Sequence, residues 1–234
     1  MNVTMKILYF DCTGGISGDM LRNAVTALSG AEDEITKQIE DVDFSKAETR
    51  EYGHDGHHHH HDSTCRSFSD VKHIISHSGV SDKAADYAAG IYQAIAEAEA
   101  GVHGATLETV HFHEVGRDEA IKNALGTSLA VAAIDPDAVM TSTLYDGHGT
   151  IVCSHGEIPV PVPAVRALMD SCDLQFQTAD ADTELVTPSG LAGLIGIGAV
   201  HTDSMPDGRI IKQTETGGGR ETGLPGLKVY IIEA

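Results

Sequence analysis

The sequence predicts an α/β or α+β fold, a layered sheet with packed helices and a mobile histidine-rich loop. Three observations carry that expectation. Short apolar runs alternate with longer segments of helical spacing along the whole chain, as in a sheet covered by helices. At 234 residues, 41% hydrophobic and 21% charged, the chain can bury a sizeable core as one large domain or two small ones. A stretch at 53–67 with five consecutive histidines interrupts the alternation, and such a tract cannot pack a core.

The first apolar run, 6–10, reads as a buried strand ending in Asp11. A turn with Gly14, Gly15 and Gly18 follows, then a helix over 20–28. Strand, glycine turn and helix make an anion site possible, because free N–H groups at the helix start point outward. The glycine pattern is neither a dinucleotide fingerprint nor a Walker loop. Asp11 and Asp19 flank the turn and would repel a bare phosphate, whereas a divalent cation between them would reconcile the two features. Asp19 reads equally as a helix cap or as a ligand.

The segment 32–40 is weakly amphipathic, and 47–52 reads as a second strand. His54, His57, His58, His59, His60 and His61 then form the internal tract, whose imidazoles bind nickel, zinc or copper with little geometric selection. It reads as metal recruitment or storage. Residues 68–77 are predicted helical, capped by Ser67 or Ser69. Ser81 and Asp82 open a longer helix over 83–100. Glu97 and Glu99 suit its C-terminal dipole poorly and read as solvated, with facing the next cluster as the alternative.

That cluster spans 103–119. It holds His103, His111 and His113 with Glu108, Glu114, Asp118 and Glu119. As a strand, 111–113 would place both its imidazoles on one face, about 7 Å apart. Imidazole with carboxylate suits borderline divalent metals such as nickel, zinc, cobalt or iron. The bland alternative is two surface histidines beside a helix whose first turn carries acidic residues.

A helix over 119–134 and a strand over 139–144 come next, then a turn at 145–149. Alternate prolines at 159, 161 and 163 fix an extended path that cannot enter a sheet centrally, and Pro163 opens a helix over 164–169. His155 sits at the mouth of this segment. Thr187 and Pro188 cap and open another helix. Strands over 209–214 and 227–232 close the chain. Between them lie Gly218 and Arg220, either a substrate-phosphate contact or a plain strand connection.

The balance of 15 basic against 35 acidic residues gives a formal charge of −20, which argues against nucleic acid as a partner. Four scattered cysteines without a Cys-x-x-Cys pair suit a reducing cytosol, and no secretory signal or membrane span is expected. A cytoplasmic protein is expected, with homo-oligomerisation open.

Seven ordered motifs then carry a resemblance. They are Asp11 with Gly15-Ile-Ser-Gly-Asp-Met20, the histidine tract, and Ala96-Glu-Ala-Glu99 with Val102-His-Gly104. Val110-His-Phe-His-Glu-Val-Gly116, His155-Gly with Ile158-Pro-Val-Pro161, Glu184-Leu-Val-Thr-Pro-Ser-Gly190 and the glycines at 217–219 complete the set. Together they resemble the N-terminal part of the LarC family, the nickel insertion proteins of nickel-pincer cofactor biosynthesis. The resemblance implies a lyase-class insertion of Ni2+ into pyridinium-3,5-bisthiocarboxylic acid mononucleotide, a small-molecule substrate. It implies CTP with Mg2+ or Mn2+, bound by a C-terminal part or separate subunit. It points to His111, His113 and Glu114 as first metal ligands and catalytic residues, with His103, Glu119 and His155 as supporting or alternative ligands. Where the family usually carries Asp-Ala-Ile-x-Asp, this chain has Glu119-Ala-Ile-Lys-Asn123. Two other classes remain in view, a metal-buffering chaperone without chemistry and a metal-dependent hydrolase.

Overall fold

The computed structural model describes residues 4–44, 66–153, 156–219 and 222–234. The expected strand at 47–52, the histidine tract with His54, His155 and Arg220 lie outside the described residues.

β1 (Lys6–Asp11) is the buried first strand. α1 (Gly18–Ser29) follows the glycine turn, its Ser17 Oγ accepting the Met20 N–H, and ends at Gly30 in a left-handed conformation. Ser17 is therefore the cap, and Asp19 lies in the helix's first turn. α2 (Glu32–Glu40) comes next. β2 (Arg66–Ser67) runs directly into α3 (Phe68–Ser76), where Ser67 and Asp70 form a reciprocal capping box.

α4 (Asp82–His103) extends past the expected Ala100, because Gly101 is tolerated and the stop comes at left-handed Gly104. His103 consequently belongs to the helix's last turn. β3 (His111–Phe112) pairs antiparallel with β2, and α5 (Asp118–Ile134) follows. The strand expected over 139–144 is divided into β4 (Ala138–Thr141) and β5 (Leu144–Asp146). Ser142 causes the break: its N–H donates to the Phe10 carbonyl, and its Oγ accepts the Cys12 N–H and donates to the Thr143 carbonyl. The chain is thereby tied to the end of β1 and leaves the sheet.

β6 (Thr150–Cys153) and β7 (Gly156–Pro159) form a separate two-stranded ribbon, consistent with prolines excluded from a sheet interior. α6 (Pro163–Asp170) begins at its proline, and β8 (Phe176–Thr178) pairs with β5. α7 (Pro188–Gly196) is capped by Thr187, whose Oγ1 accepts the Gly190 N–H. β9 (Val200–His201), β10 (Arg209–Thr216) and β11 (Leu227–Glu233) complete the order.

The main sheet runs β10-β11-β1-β4-β9. β1 is parallel to β4 and antiparallel to β11, so the sheet is mixed. Strand alternation splits it into two faces. Leu8, Phe10, Val229 and Ile231 join the main core, to which α1, α4, α5 and α7 also contribute. Ile7, Tyr9 and Ile232 form a small cluster apart from it, with Ala138, Met140 and Tyr230 packed against them. Among the described residues, no helix is long and apolar enough to cross a membrane.

Candidate functional site

Three helices open at one end of the fold. A Cβ on Gly18 would lie 2.8 Å from Ser189 Oγ and 3.9 Å from Asn123 Cβ, while Gly126 meets Arg22 and Gly193 meets Leu21. These pairings advance in step, so α1, α5 and α7 run parallel. Their N-termini lie at the carboxyl ends of β1 and β4, where ligands bind in open α/β sheets. Two groups of candidate residues sit there.

The first lines a cleft of about 720 Å³. Its walls are the glycine turn, the start of α1, the strap at 184–187, and the segments 217–219 and 222–226. The turn and strap are stitched together: Ile16 N–H donates to the Leu185 carbonyl at 2.8 Å, and Thr187 N–H to the Ile16 carbonyl at 2.9 Å. Gly15 has a φ of 88°, and a Cβ there would stand 2.3 Å from the Leu185 oxygen, so only glycine permits the approach.

Behind the strap, Asp146 is 2% exposed, and its Oδ1 accepts N–H bonds from Gly147, Leu185 and Val186 at 2.8, 2.8 and 3.0 Å. Thus anchored, the strap presents Glu184, only 8% exposed, to the cleft. Gly14, Asp19 and Gly218 also line the cleft, whereas Gly15 and Gly18 pack behind it. Asp11 is not among the lining residues; its Oδ1 accepts the Thr13 N–H and hydroxyl. Asp19 accepts a 2.5 Å hydrogen bond from Ser17 Oγ.

The second group is the 103–119 cluster, where α4 ends and α5 begins. His103 Nε2 lies 3.3 Å from Glu99 Oε2, one helical turn back. Glu99, expected to be solvated, has a side chain only 17% exposed and faces His103, while Glu97 is exposed and accepts from Gln93. The His103 and His113 rings are 6.5 Å apart. His111 lies on β3 opposite Ser67, half-buried, and Glu114 is exposed. Glu119 pairs with Lys122 at 3.1 Å. Among the described residues, no three histidine, cysteine or carboxylate side chains converge closely enough to hold a metal.

Buried groups hold the loop that carries these side chains. Arg66, 4% exposed, donates to the Gly116 carbonyl at 2.7 Å and pairs with Asp118 at 2.7 Å. The Tyr92 hydroxyl donates to the Val115 carbonyl at 2.8 Å, and burial raises that phenol's pKa well above its ordinary value. A hydrogen bond with the Thr106 side chain lowers that of the Glu108 carboxyl.

Arg66 and Asp146 carried no signal in the sequence. Glu184 had one, a charged residue three before a Thr-Pro cap, but spacing gave it no role.

Residues 8–231 match the family described as nickel insertion protein. The chain is 35% identical over 239 residues to the pyridinium-3,5-bisthiocarboxylic acid mononucleotide nickel insertion protein of Acetivibrio thermocellus, covering 94% of this chain and 58% of the relative. It is 32% identical to the protein of the same name from Alkaliphilus metalliredigens, covering 97% of this chain and 60% of that one. A putative nickel insertion protein of Methanococcoides burtonii is 31% identical, with 98% and 59% covered. The chain thus spans about three-fifths of the length of these relatives. No solved structure matches it.

Proposed function

The chain belongs to the nickel insertion protein family, and we propose that it forms the metal-binding part of a protein inserting nickel into pyridinium-3,5-bisthiocarboxylic acid mononucleotide. Nickel is the cargo in this reading. The 103–119 cluster receives it, with His111, His113 and Glu114 as first ligands and His103, Glu119 and His155 as supporting or alternative ligands. The tract His57 to His61 recruits the metal, and the cleft holds the mononucleotide. The reaction is of the lyase class and takes place in the cytoplasm.

The observation that carries this reading is the placement of a histidine–carboxylate cluster and a large cleft at the same end of the fold. From Asn123, beside the mouth of α1, α5 extends five residues back to Asp118, about 7.5 Å along its axis. Imidazole and carboxylate hold nickel as borderline-to-hard donors, and thiocarboxylate sulfur is a softer partner, so passage from protein to acceptor is favourable.

CTP with Mg2+ or Mn2+ is assigned to a C-terminal part or separate subunit. The described wall of the cleft carries two carboxylates, Asp19 and Glu184, and no lysine or arginine among its described residues. A triphosphate requires concentrated positive charge or bridging cations.

The test combines this chain with that C-terminal part, nickel, CTP with Mg2+ and the metal-free mononucleotide, and follows the nickel product by absorbance and mass. His111→Ala and His113→Ala should lose most metallation with circular dichroism unchanged. Wild-type metallation by both variants would refute the ligand assignment. Nickel bound but never transferred by the wild type would favour the buffering chaperone instead.

A further inference from the structure

We propose that His73 and His77, in the last turn and C-cap of α3, form a binding site for a divalent transition metal, apart from the 103–119 cluster and the histidine tract. The sequence sets them four residues apart, His73-Ile-Ile-Ser-His77, so one helical turn stacks one imidazole above the other. Their ring centres are 4.1 Å apart with planes tilted by 34°, and both residues are exposed. Ile74 and Ile75 between them are buried in the core, so the pair faces outward from an anchored base. Counted from Ser67, whose strand partner is His111, the two residues lie about 9 and 15 Å along the helix.

The hydrogen bonds around His77 decide which of its nitrogens is open. Nδ1 lies 2.9 Å from the His73 carbonyl and 3.0 Å from Ser76 Oγ. The carbonyl only accepts, and the Ser76 hydroxyl donates to that same carbonyl at 2.9 Å, so Nδ1 carries the hydrogen. Nε2 is left with its lone pair, and an imidazole tethered to a carbonyl through its other nitrogen is the arrangement of metal-bound histidines. The His73 ring makes no hydrogen bond to a described residue. A metal about 2 Å from a ligating nitrogen lies roughly 3 Å from the ring centre, so centres 4.1 Å apart subtend about 80–90° at the ion. That matches neighbouring positions of a square-planar or octahedral ion, whereas the ring centres of tetrahedral ligands would stand about 5 Å apart. The pair therefore suits Ni2+ or Cu2+ better than Zn2+. Ile74 stands where the metalloprotease pattern His-Glu-x-x-His carries its general base, so the site binds without hydrolysing. Among the described residues no third ligand converges on the pair, which leaves the ion's other positions to water and suits an exchangeable metal.

The test is amide hydrogen exchange of the full chain, read by mass spectrometry on peptides covering α3, with and without Ni2+. It is run on the wild type and on a variant with His57 to His61 replaced by serine, which removes the tract as a source of the effect. An ion bridging residues 73 and 77 must leave before that turn can open. With Ni2+ at ten times its dissociation constant, exchange in the turn should slow about tenfold in both proteins. His73→Ala and His77→Ala should each abolish the slowing, every variant being compared with its own metal-free rate. Cu2+ should act at lower concentration than Ni2+, and Zn2+ at higher. No nickel-dependent slowing in the wild type overturns the proposal. Slowing that is lost with the tract, or that persists in either alanine variant, overturns it as well, because the metal would then be held elsewhere. Slowing by Zn2+ at lower concentration than Ni2+ overturns the choice of metal and the ring geometry on which it rests.

Discussion

Asp146 offers the sharpest test of how the cleft is built. Replacing it with alanine leaves three buried N–H groups, of Gly147, Leu185 and Val186, without the oxygen they now share. An orphaned buried donor costs about 1–3 kcal/mol, and relaxation or water recovers part of that sum, so Asp146→Ala should lose about 3–5 kcal/mol of stability. Asp146→Asn keeps the accepting oxygen. Its new amide replaces Oδ2, which has no hydrogen-bond partner among the described residues, so two N–H donors are left unpaired, and with relaxation or water recovering part of that the loss should be about 1–3 kcal/mol. Urea unfolding followed by circular dichroism gives both values. Loosening the strap also displaces Glu184, so mononucleotide affinity should fall in the same order, alanine below asparagine below wild type. A loss under about 1 kcal/mol for alanine, or an asparagine variant less stable than the alanine one, would refute the assigned role of the carboxylate.

Arg66→Ala should cost about 1–3 kcal/mol, because it leaves the buried Gly116 carbonyl without its donor while the half-exposed Asp118 turns to water, and nickel affinity should drop with it; unchanged urea midpoint and nickel titration would refute this. Gly14→Ala should abolish mononucleotide binding, since a Cβ would stand 1.9 Å from the Pro225 oxygen and push the cleft walls apart; wild-type affinity in calorimetry would contradict it. Burial raises the pKa of the Cys12 thiol to about 12, so at pH 8 it should resist Ellman's reagent until denaturant is added, as read by peptide mass mapping. The hydrogen-bonded ion pair of Lys83 with Asp135 raises the lysine's pKa and lowers the carboxyl's. Its contribution is thus present above the ordinary carboxylate range, fades as pH falls through the depressed value, and fades again above the raised lysine value. The stability difference between wild type and Lys83→Met should vanish in acid, and persistence there would contradict the pairing.

Local signals were legible where local chemistry decides. Ser67, Ser81 and Thr187 cap helices where side-chain oxygen precedes apolar spacing, and Pro163 and Pro188 open helices as their missing N–H allows. Glu99 was legible in principle, since four residues separate it from His103 on a helix, but the apolar spacing fades at Ala100 and only left-handed Gly104 ends the helix. The break at Ser142 was not, because it depends on Cys12, 130 residues away. The glycine turn could be read as strand, turn and helix, yet its reason for having glycine at 15 is the Leu185 carbonyl, which only the fold brings there. Arg66 closes a polar, histidine-rich stretch and reads as a surface charge, but its burial follows from partners at Gly116 and Asp118.

The two candidate regions differ in rigidity, and the difference suits their proposed roles. An acceptor must be held still for ligand exchange, and the cleft's strap is fixed by the Asp146 carboxylate and by backbone bonds to Ile16. A metal carrier must bind and then let go. Ligands sharing one nickel must each place a donor atom about 2 Å from it, and among the described residues no three histidine, cysteine or carboxylate side chains converge to meet that demand as they stand. His113 lies exposed just past β3, however, so a small shift of 113–114 would bring it toward His103 while Arg66 and Tyr92 keep the loop's base in place. The work of that shift would be returned when the metal leaves. A cluster that closes only around its metal favours release to softer sulfur donors, and a preformed, fully converged site would have favoured storage.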